Sequence, residues 1–350
     1  MSHIHIAGRT ISKDAPPFII AEAGINHNGE LDNAFKMIQA AKAAGADAIK
    51  FQTFKAEEFV SDRTQTFTYQ SQGQEVTESM LDMFKRYEFS REAWFAIKAE
   101  CDRQGILFLS TPQNRTDLDL LLEIGVPAIK VGSDDFTNLP LLASYVETGL
   151  PLIVSCGMAD LSEVYTSLEV IGAFSDYPVV LLLCTSQYPT PPQDINLNKL
   201  RTLQSAFPSL LTGFSDHSQG PLASSLAVAY GACVFEKHFT LDRNLPGPDH
   251  WFSENPETLK EWVTSIRTAF SMLGSSVVRP TAAEREMRKI ARRSITVLNA
   301  IPAGTVFSLE NISLRRPGTG LPPSFIQNVL GRKSKNDLAA GHVVSFEDLE

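Results

Sequence analysis

What the chain lacks narrows its possible functions first. No stretch approaches the ~20 consecutive apolar residues of a membrane-spanning helix. Residues 1–14 hold no cationic segment followed by an apolar run, so neither a secretory leader nor a membrane anchor is expected and the chain reads as cytoplasmic. Cysteine is scarce: Cys101, Cys156, Cys184 and Cys233 form no CxxC pair. The last three lie in apolar strand-like runs, as reduced core thiols do, so no disulfide or zinc knuckle is expected. Neither GxGxxG nor GxxxxGK occurs, which removes the commonest reasons to expect an open nucleotide-binding sheet. Basic residues are in deficit, 31 Lys and Arg against 40 Asp and Glu, and so acidic a body does not suit a nucleic-acid partner. Only residues 281–350 reverse the sign, with ten basic residues against seven acidic.

What is present points to a barrel. The chain has 350 residues, 43% of them hydrophobic, enough for one large core and a smaller one. Eight apolar strand-like runs alternate with helical stretches: Phe18–Ala23, Ala48–Phe54, Ile106–Thr111, Ala128–Ser133, Leu152–Met158, Val179–Thr185, Leu211–Ser215 and Cys233–His238. Amphipathic segments such as Asp32–Ala44, Thr116–Ile124, Leu161–Phe174 and Pro221–Tyr230 lie between them. Eight such units predict an α/β fold of the (β/α)₈ TIM-barrel type. The barrel domain is expected over residues 1–278, with 1–14 as a hairpin cap because His3-Ile4-His5-Ile6 alternates and is followed by Gly8-Arg9. A charged linker over 279–292 then leads to a small domain at 293–350.

Polar residues gather at the strand ends, where barrel enzymes carry out their chemistry. His217 and His238 each close an apolar run, beside Ser215, Glu236 and Lys237. Two imidazoles on consecutive strands suit a divalent metal at the barrel mouth. Lys50 and Lys130 sit within apolar strands, where an uncompensated ammonium is costly, so they are expected to face an anion inside the barrel. With the hydroxyls of Thr111, Ser133, Ser155, Ser186 and Ser215, they describe a small, highly charged ligand such as a phosphate bearing a carboxylate. Residues 55–91, polar and glutamine-rich, form either a lid over the mouth or a packing insertion.

Ordered motifs along the chain carry a resemblance. Glu22-x-Gly-x-Asn-His-x-Gly29, Lys50-x-Gln-Thr53, Ser110-Thr-Pro112, Lys130-x-Gly-Ser133, Ser155-x-Gly-Met158, Tyr188-Pro-Thr190, Ser215-Asp-His217, Glu236-x-His-Phe-Thr240 and Gly247-Pro-Asp249 resemble the sialic acid (N-acetylneuraminate) synthase family. Arg293-Ser-Ile295, Ile301-Pro-Ala-Gly304, Arg316-Pro-Gly-Thr-Gly320 and Ala340-Gly-His-Val-Val344 are similar to the antifreeze-like SAF domain, a small β-rich β-clip fold, that ends those enzymes. The resemblance implies condensation of phosphoenolpyruvate with the open-chain aldehyde of an N-acyl hexosamine such as N-acetylmannosamine, giving a nine-carbon 2-keto-3-deoxy acid and phosphate.

It further implies a divalent metal on His217 and His238, Mn²⁺ first and Mg²⁺ or Co²⁺ next. Glu22 would handle the water or aldehyde proton, with Glu236 completing the catalytic set. Lys50, Thr111 and Ser133 match positions near the substrate carboxylate, and Lys130, Ser155, Ser186 and Ser215 those near the phosphate. Gln52, Asp135, Tyr188 and Asp249 match the sugar side, and Arg316 is expected to complete a neighbouring subunit's site in a domain-swapped homodimer. Two departures bear on the acceptor. Position 186 is Ser where the neuraminate branch commonly has Asn, and Trp251-Phe252 adds aromatic bulk, so legionaminic and pseudaminic acid synthases, which take 2,4-diacetamido-trideoxyhexoses, are the alternative.

Three other readings compete. His3-Ile4-His5 imitates the HxH of metal-dependent amidohydrolase barrels. The C-terminal part could be a carbohydrate-binding module on an inert barrel. A synthase of the Kdo-8-phosphate or DAHP type would need a second phosphate site.

Overall fold

The computed structural model describes residues 3–350, so the first two residues of the expected cap lie outside the described part. Eight parallel strands form one sheet: Phe18–Gly24, Ala48–Thr53, Leu107–Pro112, Ile129–Val131, Leu152–Ser155, Val179–Cys184, Leu211–Asp216 and Val234–His238. Here they are called barrel strands one to eight. Strand eight pairs with strand one, and strands three and four lie side by side, which closes the cylinder. Strand one is buried at all seven positions. Parallel strands covered by helices on one face and filled on the other read in sequence as unbroken apolar runs, and that is why they were legible.

Eight helices follow the strands on the outside: Leu31–Ala44, Arg91–Gln104, Arg115–Ile124, Leu139–Val146, Leu161–Ile171, Asn198–Ala206, Leu222–Ala229 and Pro256–Leu273. The first ends at Gly45, whose φ of 88° needs a residue without a Cβ and lets its N–H donate back to the last turn. A large apolar core lies between sheet and helices. Inside the barrel, Ile20, Leu109, Ile153, Leu182 and Val234 pack with Ile4, Ile6 and Ile11. The last three come from the N-terminal hairpin His3–Ile6/Arg9–Ser12, which caps the end of the cylinder where the strands begin. Gly213 is required in this packing: a Cβ there would stand 2.4 Å from both Leu182 Cδ2 and the Val234 carbonyl.

The segment between strand two and its helix is ordered. It holds a short helix Ala56–Phe59, an antiparallel hairpin Thr66–Ser71/Gln74–Ser79, and a helix Met80–Tyr87. The chain divides into two compact units, through Gly274 and from Ser275 onward. The second contains helix Ala282–Ala291, capped by Thr281, and strands Ser294–Val297 and Ile312–Arg315 in antiparallel register. Its own core comprises Ile295, Val297, Phe307, Ile312, Leu321, Val329 and Val344. No helix among the described residues is long and apolar enough to cross a membrane.

Candidate active site

Successive side chains on a strand point to opposite faces, and this alternation decides which polar residues enter the barrel. On strand eight, Glu236 and His238 face inward. Lys237 between them points outward, where it is buried against Asp216 (3.0 Å), Glu254 (3.8 Å) and the Ser218 carbonyl. On strand two, Lys50 and Gln52 face inward while Phe51 packs outward against Trp94 and Phe108. Register then stacks the inward residues: Glu22 lies opposite Lys50 on one side and His238 on the other, and Ser215 lies opposite Glu236.

The result is a buried charge array on the floor of a cavity of about 660 Å³. Lys50 Nζ is 2.8 Å from Glu22 Oε2 and 3.8 Å from Glu236 Oε2, and it donates to Thr111 Oγ1 at 3.2 Å. Lys130 Nζ donates to Ser155 Oγ at 2.9 Å and lies 3.5 Å from Glu236 Oε1, which also accepts from Ser215 Oγ at 3.0 Å. Gln52 Nε2 donates to Glu22 Oε1 at 3.1 Å. Burial raises the Glu22 pKa more than Lys50 lowers it, and the neighbouring Glu236 adds to the rise. Glu236 is held below the usual carboxylate range: burial opposes this, but Lys130 and Lys50 prevail. Burial and Lys50 depress Lys130 against the pull of Glu236.

Above this floor the two imidazoles stand with ring centroids 5.5 Å apart. His217 Nδ1 donates to the Thr185 carbonyl at 2.8 Å, so in the neutral ring the lone pair is on Nε2. Burial works against a charged His217, but the nearby Cys184 sulfur (3.9 Å from Nδ1) outweighs it and the pKa is raised. His238 is driven well below its ordinary value by burial and then by His217, so it stays neutral. Its Nδ1 is buried without a hydrogen-bond partner, 3.9 Å from Asp249 Oδ2. Two nitrogen donors of this kind fit a divalent cation. Among the described residues no group of three or more His, Cys, Asp or Glu side chains is arranged to hold a metal ion.

Aromatic rings wall the outer cavity. Tyr188 packs on His217 (4.1 Å) and Phe252 (5.2 Å), and Phe252 contacts Trp251 (5.6 Å). Burial raises Asp249 to about 7, with Glu22 adding to the rise. The hairpin after strand two contributes Phe67, Thr68, Tyr69, Gln70 and Glu75 to the wall. Gly247 N donates to Ser71 Oγ at 3.1 Å and Gln72 Nε2 to the Asn244 carbonyl at 2.9 Å, so the hairpin is tied to the loop after strand eight.

Of the residues expected at the site, Glu22, Lys50, Gln52, Thr111, Lys130, Ser133, Ser155, Ser186, Tyr188, Ser215, His217, Glu236, His238 and Asp249 all line this cavity. Asp135 does not. Its carboxylate accepts from Asn138 at the start of the next helix, and Asp134 fronts the cavity instead. Arg316 lies exposed in the second unit. The His3/His5 pair sits on the capping hairpin at the opposite end of the strands from His217 and His238, which removes the amidohydrolase arrangement. Phe54, Phe59, Phe84, Gln113 and Cys184 also line the cavity and were not expected there. Apolar residues and a lone amide carry no signal that separates them from ordinary packing.

The closed barrel and its buried array of carboxylates, ammoniums and imidazoles define an enzyme with its chemistry at the C-terminal mouth. The NeuB family profile matches residues 37–278 and the SAF domain profile residues 292–350. The chain belongs to the NeuB family, carries a SAF domain, and is an enzyme of that family's phosphoenolpyruvate-dependent, carbon–carbon bond-forming class. It is 43% identical to an N,N'-diacetyllegionaminic acid synthase of Legionella pneumophila, over 95% of this chain and 94% of that protein. It is 33% identical to the human N-acetylneuraminate-9-phosphate synthase, over 93% of this chain and 90% of that one. Among solved structures, it is similar to the N-acetylneuraminic acid synthetase of Leptospira borgpetersenii (TM-score 0.73, 36% identity, 81% of this chain and 94% of that one).

Proposed function

We propose that the protein condenses phosphoenolpyruvate with the open-chain aldehyde of an N-acyl hexosamine, releasing phosphate and a nine-carbon 2-keto-3-deoxy acid. The observation that carries this reading is the cavity floor, where two buried ammoniums lie beside hydroxyls and below two imidazoles. Lys50 with Thr111 and Ser133 receives the carboxylate of phosphoenolpyruvate, and Lys130 with Ser155, Ser186 and Ser215 its phosphate. C3 of the enol attacks the aldehyde carbon, water adds at C2, and phosphate leaves by C–O cleavage. Glu22, its proton affinity raised by burial and its orientation fixed by Gln52, handles the proton of that water or of the new alkoxide. Glu236 keeps its charge and balances the two lysines. His217 and His238 would hold a divalent ion, Mn²⁺ before Mg²⁺ or Co²⁺, which when bound polarises the aldehyde oxygen.

Gln52, Tyr188 and Asp249 face the acceptor. Two relatives named N,N'-diacetyllegionaminic acid synthase, at 43% and 38% identity, and the aromatic outer wall favour a 2,4-diacetamido-trideoxyhexose over N-acetylmannosamine. Arg316 is assigned to a partner subunit's acceptor site in a homodimer, a role its exposure permits. Mixing Arg316→Ala with His217→Ala protein should restore activity in heterodimers, and absence of recovery despite demonstrated exchange removes that assignment. The reaction itself is tested by phosphate release from phosphoenolpyruvate with Mn²⁺ and N-acetylmannosamine, 2,4-diacetamido-trideoxyhexoses, mannose and arabinose 5-phosphate. Turnover confined to the sugar phosphate would reject the reading.

A further inference from the structure

Part of the cavity wall has no role in the reaction as proposed. Phe54, Phe59 and Phe84 all front the cavity and meet one another, with ring centroids 5.0 to 6.3 Å apart and Phe84 edge-on to both others. Beside them is Gln113. Its backbone N–H donates to the Thr53 carbonyl at 3.1 Å, next to Phe54. In the first turn of the helix Arg115–Ile124 the Thr116 hydroxyl donates to the Glu58 carboxylate, next to Phe59. The chain around Gln113 is thus fastened to the segment that carries Phe54 and Phe59. Gln113 also lines the cavity, and its Oε1 is buried and accepts no hydrogen bond.

Buried carbonyls are nearly always paired, and one left open on a ligand cavity marks a place where a donor is missing. The rings suit a small apolar group, and the carbonyl of Gln113, which lines the same cavity, suits an N–H or O–H. A methyl group alone satisfies the rings and leaves the carbonyl open. A hydroxyl alone does the reverse. An acetamido group supplies both, an N–H and a methyl on either side of one planar amide.

We propose that Gln113, Phe54, Phe59 and Phe84 form the subsite for the second N-acetyl group of a diacetamido acceptor. Its N–H donates to Gln113 Oε1 and its methyl packs against the three rings. This rests on the condensation proposed above and assigns the residues that would tell such an acceptor from one with a single acetamido group.

The test compares kcat/KM, with Mn²⁺ and saturating phosphoenolpyruvate, for N-acetylmannosamine, its 6-deoxy derivative and 2,4-diacetamido-2,4,6-trideoxymannose. Wild type, Gln113→Leu and Phe59→Ala are measured; Phe59 is 36% exposed, so its truncation leaves the fold intact. Wild type should prefer the diacetamido sugar over the 6-deoxy monoacetamido sugar. Gln113→Leu should cut that ratio about tenfold, the size of one hydrogen bond, and Phe59→Ala should cut it severalfold. A ratio unchanged in both variants, or a wild-type preference arising wholly from the 6-deoxy step, overturns the subsite while leaving the reaction standing. No phosphate release with any of the three acceptors overturns the reaction itself, and the subsite with it.

Discussion

Lys50 Nζ lies 2.8 Å from Glu22 Oε2, and both side chains are almost wholly buried. The ammonium is therefore compensated before any anion arrives, and an anionic substrate competes with a resident carboxylate. Lys50→Ala and Lys130→Ala should raise KM for phosphoenolpyruvate by roughly 10- to 100-fold, the value of a charged hydrogen bond. KM for the sugar should move far less. Initial-rate kinetics with each substrate varied in turn checks this, and equal effects on both would remove the assignment.

Lys237 gives the contrasting case. It shares the strand with the catalytic pair but points outward onto Asp216 at 3.0 Å. Lys237→Met strands a buried carboxylate and should cost about 3–5 kcal/mol of stability, seen as a lower melting temperature. At a temperature where the variant is folded, both KM values should stay near wild type. A selective rise in KM for phosphoenolpyruvate would place this lysine in the site after all.

His217→Ala or His238→Ala should abolish metal-dependent turnover, because each removes one of two nitrogen donors. The decisive measurement is Mn²⁺ binding beside activity in the same preparation. Retention of near-normal Mn²⁺ affinity and rate in either variant would rule out the two-histidine arrangement.

His27 predicts a pH dependence of folding. It is fully buried, stacked on Phe89 at 4.3 Å, and burial lowers its pKa to about 3, with His250 adding to the effect. Between pH 3 and 6.5 the unfolded chain holds a proton here that the folded chain does not. Stability should therefore rise with pH through that window and fall on acidification, with a slope of up to about 1.4 kcal/mol per pH unit from this one group. Urea unfolding of wild type and His27→Gln at pH 4, 5, 6 and 7 tests it. The variant should lose that part of the slope, and parallel curves would count against it.

The barrel was legible in the sequence because parallel strands buried on both faces appear as unbroken apolar runs, against which Lys50, Lys130 and Glu236 stand out. Strand alternation separates Glu236 and His238 from Lys237, a distinction the run of polar residues at 236–238 conceals. The resemblance puts Asp135 on the sugar side, but beyond Val131, where strand four ends, alternation no longer governs direction, and Asp134 lines the cavity instead. The hairpin at 66–79 escaped notice because its strands are mostly polar. Its turn at Gln72-Gly73, with φ of 52° and 76°, was nevertheless a usable signal. The Phe54–Phe59–Phe84 group and Gln113 are assembled by tertiary packing alone.

The hairpin cap formed by Ile4, Ile6 and Ile11 stoppers the far end of the cylinder, and that imposes traffic rules on the proposed reaction. With one end sealed, every molecule enters and leaves through the same mouth. A substrate bound to Lys50 and Lys130 on the floor must arrive before one that fills the aromatic mouth. On the reaction proposed above, phosphoenolpyruvate would bind first, and the acceptor would close the mouth over the reacting enol.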